Sequence, residues 1–411
     1  MTPVQAIVCA ASIGGCLIAG TSRGQDASKG VTVELRGSVA TVGGELVSMD
    51  AAGVKVKQDD RVSWLGWDVV RAVKGAAGAE RWVGLSESAY RARSRLERGD
   101  FIRAEQELQK LSEQFEGAGL RQGPTPAMVA EGLVRARLAR GYRLGAIFAW
   151  LRLSESKGES AGPRFRGAGI IDRATGLCVQ LPPVFSAKSD GEALRASIDA
   201  PEWGEGEVGV GAWYLLAARF EVMGRLPEGV DVAALEQSAA SAGIVGEVVM
   251  SRVGDEAQRK AARAKLSKRI EAMNKAAGEP RPNATDADAT LPAMADEQGE
   301  GDRRWIEAWC HLAMGRSFLR EGELAQRRLG VLELLNLPAR FGDLVPQLAG
   351  LALGEAADEL EAQGDHDGAD RLRDDLASRF MSMRIDRGPV KINGWTLVRA
   401  GTETLGDVAC P

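Results

Sequence analysis

The feature that most constrains this chain is a glycine set between two apolar stripes of helical spacing. Ala89, Ala92 and Leu96 recur on one side of Gly99, and Ile102, Ala104, Leu108, Leu111 and Phe115 on the other. Residues three or four apart share a helix face, so the spacing predicts two amphipathic helices joined by a tight turn. Gly99 suits the left-handed position past a helix end, and the Asp100 carboxylate is expected to accept from the next helix's first amides. Arg98-Gly99-Asp100 also spells an adhesion tripeptide. Adhesion needs an exposed, mobile loop, whereas these stripes require a short connection between packed helices.

The arrangement recurs. Gly141 separates "MVAEGLVRARLAR" from "AIFAWLRLSES", Gly224 follows "AWYLLAARFEVM", Gly322 follows "EAWCHLAMGRSFLRE", and Gly364-Asp365 parts "GEAADELEAQ" from "GADRLRDDLASRF". Gly99 and Gly141 lie 42 residues apart, as do Gly322 and Gly364. A repeated helix–turn–helix unit that buries its apolar face on its neighbours predicts a mainly α solenoid.

These stretches resemble tetratricopeptide repeats (TPR). Trp213, Leu216, Ala217 and Phe220 fit the family's Trp-x2-Leu-Gly-x2-Tyr helix with conservative changes, and Met314-Gly315-x2-Phe318 fits its second part. Ala104 with Leu108, and Ala146 with Trp150, match the Ala-x3-Phe element of the second helix, and Pro338 falls near the family's closing proline. The copies depart from the pattern at Arg327, where a small alanine is due, and at Arg373, an aromatic position. The interval also exceeds the family's repeat of about 34 residues. The resemblance implies TPR-like helical hairpins whose concave surface receives a segment of another protein.

Residues 25–75 differ from all that follows. Val31, Val33 and Leu35 alternate, Leu46 and Val47 follow Gly44, and Val54 and Val56 alternate after the turn formers Asp50-Ala51-Ala52-Gly53. Four or five short strands with one buried face predict a curled sheet or a small SH3-like β module. Trp64 and Trp67 could give this module an aromatic partner-binding face, or could plug the end of a small barrel.

Ala6 to Ala19 form an uncharged, largely apolar run, too short to cross a bilayer with ease and suited to a signal peptide over residues 1–24. Ser22 and Gly24 supply the small residues of a cleavage site, although no Lys or Arg precedes the run. Ile13-Gly14-Gly15-Cys16 loosely resembles a lipobox, so a lipid anchor at Cys16 is the competing expectation. Either route exports the chain to the periplasm or cell envelope. Cleavage would leave Cys178, Cys310 and Cys410, which allows one disulfide without specifying its partners. Cys310, among apolar neighbours, reads as a core thiol.

Helical spacing, expected over residues 85–277, fails between 154 and 211, where Pro182-Pro183 forbids a helix interior. Leu177, Leu181, Pro182, Pro183 and Trp203 could line a partner-binding groove or staple this insertion to the helices. Gly204-x-Gly206-x-x-Gly209 copies a dinucleotide fingerprint, but no strand precedes it and Glu205 and Glu207 would repel a pyrophosphate. The basic stretch 259–277 predicts an amphipathic helix with Ala262, Leu266, Ile270 and Met273 inward. From 278 to 302 seven acidic residues stand against one arginine, which predicts a disordered linker before C-terminal TPR-like hairpins at 303–380. Asp365-x-Asp367-Gly368-x-Asp370 lacks the spacing of a calcium loop and reads as a polar turn. A short strand pair is expected in the tail, 381–411, with Trp395 packed on the last hairpin.

The formal charge of −5 supplies no basic field for nucleic acid, and the two histidines, His311 and His366, strain any multi-imidazole metal site. No phosphate loop, zincin helix or nucleophile elbow occurs, so neither catalysis nor a cofactor is expected. The leading expectation is a non-enzymatic, exported scaffold for a protein or peptide partner. The alternatives are an envelope glycan- or peptide-binding module acting through Trp64 and Trp67, and an enzyme with its site in the 160–211 insertion.

Overall fold

The computed structural model describes residues 30–37, 41–120, 122–155, 165, 170–172, 175–186, 190, 194–195, 209–228, 230, 232–278, 304–380, 390–392 and 395–397. Among these residues the chain is mainly helical, with twelve α-helices after a small antiparallel sheet. The expected signal peptide, the Cys16 anchor, Trp203, Gly204, Gly206, Cys410 and the acidic stretch from 279 lie outside them.

β1 (Val31–Leu35), β2 (Thr41–Asp50), β3 (Gly53–Gln58) and β4 (Arg61–Leu65) form a meander, and β5 (Val70–Lys74) returns to pair with β1. The order is β4-β3-β2-β1-β5. β2 joins the two halves, pairing with β1 through Thr41–Gly44 and with β3 through Glu45–Asp50. Gly44 sits at the changeover, where a Cβ would lie 2.3 Å from the Lys57 carbonyl oxygen. The Asp50–Gly53 turn forms as the sequence predicts. Asp50 Oδ1 accepts from the amides of Ala52 at 2.8 Å and Gly53 at 3.2 Å, and Gly53 takes φ 148°.

The sheet is not free-standing. A 3-10 turn (Ala79–Trp82) leads into α1 (Val83–Glu97), where Ser86 Oγ donates to the Val70 carbonyl at 2.6 Å and Arg93 pairs with Asp68 at 2.8 Å. Thr125, in the first turn of α3 (Pro124–Ala139), donates to the Ala52 carbonyl at 2.9 Å and accepts from the Trp67 amide at 3.0 Å. Val31, Val33, Val54, Val56 and Val70 therefore belong to the same apolar core as α1 and α3. The change near residue 75 is one of secondary structure, not of core.

α1 and α2 (Phe101–Gly117) form the first hairpin, α3 and α4 (Arg143–Glu155) the second. The adhesion-like tripeptide is their first turn: Gly99 takes φ 83°, its amide donates to Leu96, and the Asp100 amide reaches back to Arg95. This pair of bonds satisfies two carbonyls that the helix end would leave bare. The same bonds recur at Gly141-Tyr142 and Gly364-Asp365, so the 42-residue spacing counts hairpin tips. Two details differ from expectation. The Asp100 side chain makes no capping bond, because the backbone alone completes the turn, and Ile102 is 41% exposed, on the rim of the stripe rather than in it.

After the 154–211 region come α5 (Val210–Met223), α6 (Val232–Ser241), α7 (Ile244–Val253) and α8 (Glu256–Gly278). α8 buries Ala262 and Leu266 and half-buries Ile270 and Met273, as its amphipathic spacing predicts. α9 (Arg304–Phe318), α10 (Leu324–Arg340), α11 (Pro346–Ala362) and α12 (His366–Phe380) follow, most helices packing on their sequence neighbours. α9 crosses α10 where Gly315 meets Gly330: a Cβ on Gly330 would lie 2.9 Å from the Gly315 carbonyl oxygen. The small residue sought at Arg327 is thus supplied by Gly330, one turn later. Gly322, in the α9–α10 connection, takes no positive φ, and Pro338 lies inside α10 rather than closing it. Asp365 Oδ1 accepts from the Gly368 amide at 2.9 Å, which makes the calcium-like aspartate a helix cap. In the tail β6 (Val390–Ile392) pairs antiparallel with β7 (Trp395–Leu397). Among the described residues no helix is long and apolar enough to cross a membrane.

Candidate interaction surface

Of the two tryptophans expected to form an aromatic face on the sheet, Trp67 is taken up by packing. Trp67 is 2% exposed, its indole N–H donates to the Asp50 carbonyl at 2.7 Å, and its ring stacks on Trp82 at 5.8 Å. Trp64 faces Lys55 across the β3–β4 pair, with the ammonium 3.9 Å from the ring centroid. Its other neighbour is Gly123, where a Cβ would come within 2.8 Å of the ring. Trp67 is thus a packing residue, while the half-buried Trp64 lies between Lys55 and the start of α3.

Leu177, Leu181, Pro182 and Pro183 are buried, which favours the staple over the groove for these four, and Trp203 lies outside the described residues. The described stretch 175–186 holds only turns and one isolated bridge, Ile171 to Cys178, so several of its carbonyls need donors from elsewhere. Side chains from three helices supply them. Trp150 of α4 donates to Gly176 at 3.1 Å, Trp309 of α9 to Val179 at 2.8 Å, and Arg316 of α9 to Phe185 at 2.5 Å. The Tyr214 hydroxyl of α5 donates to Leu181, and Arg143 of α4 to Pro182. Cys178 in this segment and Cys310 on α9 are both free, and burial pushes each thiol up to about 12. A thiol held protonated at neutral pH is a core residue, not a nucleophile.

Beside the staple lies a buried ionic cluster that the sequence reading missed. Arg252 of α7 grips Glu221 of α5 with two bonds, at 2.7 and 3.1 Å. Arg316 reaches Glu221 at 3.3 Å and Glu355 of α11 at 3.0 Å. Burial works against the Glu221 anion, but Arg316 and Arg252 outweigh it and hold its carboxyl below the usual range. For Glu355 burial wins over the same two arginines and raises it. A cleft of about 240 Å³ opens here, lined by Arg252, Arg316, Leu319, Glu355, Asp358 and Glu359. Most of its polar atoms are spent on tying four helices and the insertion together, so the cluster reads as a clasp. No group of three or more metal-ligating side chains occurs among the described residues.

What remains open is the outer face of α10. Its inner side buries Gly330, Val331, Leu334 and Leu337. Yet Leu324, Leu329 and Leu332 are 47%, 45% and 61% exposed, with Ala325, Arg328 and Ala339 also exposed beside them. At 100° per residue these positions fall on one side of the helix, opposite the core stripe. Isolated exposed leucines are ordinary, but a row along one helix marks a contact surface. The signal was present in "RRLGVLELLNL", because so many leucines cannot share one face. No family model matches this chain, and no characterised protein or solved structure matches it either.

Proposed function

We propose that this protein is a non-enzymatic scaffold that holds a protein or peptide partner against its helical surface. The observation that carries the reading is α10, a helix apolar on both sides with only one side covered among the described residues. Helices of that kind are stable in water when another chain covers the second side. The hairpin tips at 42-residue spacing and the Gly315–Gly330 crossing support a TPR-like, though degenerate, repeat architecture. The strand order, with β5 closing on β1, supports an SH3-like module at its front. Export to the periplasm or envelope rests on the sequence of residues 1–24. The glycan-binding alternative is left with the half-buried Trp64 alone, since Trp67 is buried.

The test is affinity capture from a native envelope extract with the full mature chain, beside a variant carrying Leu329→Ser and Leu332→Ser. A deletion of the sheet is unsuitable, because β4 and β5 pack on α1 and α3. A partner retained by the first bait and lost by the second is the expected result. Identical capture by both baits would sink the reading.

A further inference from the structure

Resting on that scaffold reading, we infer that the outer face of α10 receives an amphipathic helix that brings a carboxylate to Arg328. The face runs from Leu324 to Ala339, about 24 Å at the rise of an α-helix. It is the side of a helix whose main neighbours among the described residues are the helices α9 and α11, so its natural complement is a further helix laid alongside, with apolar side chains meeting in ridges and grooves. Charge then selects among such helices. Arg327 is paired with Glu359 at 2.7 Å, Arg340 with Glu307 at 2.6 Å, and Glu333 with His311 at 2.6 Å. Arg328, in the midst of the exposed leucines, has no ion-pair partner among the described residues. An apolar partner that covers this face strips water from a guanidinium, a cost that a facing anion offsets best. A helix with leucines at helical spacing and an aspartate or glutamate midway along its stripe meets both demands. A neutral or basic helix does not.

A library of displayed helical peptides, with a leucine stripe fixed and its central flanking positions randomised, tests this on the full mature chain. Peptides whose binding is lost in the Leu329→Ser, Leu332→Ser variant should be enriched in Asp or Glu at the centre. They should bind the Arg328→Glu protein at least about tenfold more weakly, and selection on that protein should return Lys or Arg at the same place. Leucine-dependent peptides with no charge preference, or with one unmoved by Arg328→Glu, would overturn the inference and leave the scaffold reading standing. A failure to select any leucine-dependent peptide would count against both. Two results would assign the face to another occupant and so overturn the inference as well. One is a dimer in light scattering that Leu332→Ser dissolves, which would seat a second copy. The other is peptide binding that appears only after removal of residues 279–303, which would seat the chain's own acidic segment.

Discussion

Helices α4 and α10 begin from the same local chemistry and end differently. Both carry large apolar residues on opposite sides, α4 through Leu144, Ile147, Phe148, Trp150 and Leu151, α10 through Leu329, Leu332, Leu334 and Leu337. α4 is enclosed: α3 lies on one side, and the insertion, held by Trp150 and Arg143, covers another. α10 has α9 and α11 against it, and its remaining side faces solvent among the described residues. The difference shows that apolar content alone does not mark a core helix. What distinguishes the two is whether the chain itself supplies a cover, and for α10 the cover is the proposed partner.

Substitution should separate the two helices most sharply at their most apolar positions. Trp150→Ala removes a 1%-exposed ring and the donor to Gly176, and should cost about 3–5 kcal/mol in denaturant unfolding. Leu332→Ser should change stability by no more than about 0.5 kcal/mol. A large loss at Leu332 would mean that α10 is already covered within the protein, and the comparison would collapse.

The clasp beside α10 gives the next largest effect. Glu221→Ala leaves Arg252 and Arg316 without their shared anion and should cost about 3–5 kcal/mol near neutral pH. Glu221 has a folded pKa below its usual 4.5, so its contribution is present above that value and is lost as pH falls through the lowered one. Glu355 is raised, so its ionisation opposes folding as pH rises above 4.5, and Glu355→Gln should be the milder change. Unfolding midpoints of the two variants across pH 3 to 7 check both signs. Equal losses would show that the two carboxylates act alike.

Smaller effects sharpen the picture of how the hairpins are built. Gly330→Ala forces a Cβ to within 2.9 Å of the Gly315 carbonyl oxygen and should cost about 1–3 kcal/mol, visible as a lowered thermal midpoint. Of the two Gly-Asp turns, Asp365→Ala should cost about 1 kcal/mol through its lost cap, and Asp100→Ala only a few tenths at most. Chemical denaturation of this pair distinguishes side-chain capping from backbone closure.

Much of the architecture was legible in local sequence. Helical spacing, the glycines at hairpin tips and the alternating valines of the sheet each depend on neighbours within one turn or strand, so a linear reading finds them. The same reading put candidate contacts at Trp64, Trp67, Leu181, Pro182 and Pro183, because large apolar residues in irregular segments look available. Only the tertiary structure determined that Trp67, Leu181, Pro182 and Pro183 are buried and Trp64 half-buried, since their neighbours come from far along the chain: Gly123, just before α3, for Trp64, Tyr214 of α5 and Arg143 of α4 for the insertion. The exposed row on α10 was missed for the converse reason. Its leucines divide between two faces, and periodicity states which residues share a face, not what lies against it. Sequence therefore determined the elements and their turns. Which apolar faces meet each other, and which one is left for another molecule, was decided by long-range packing, because burial depends on atoms that local sequence cannot specify.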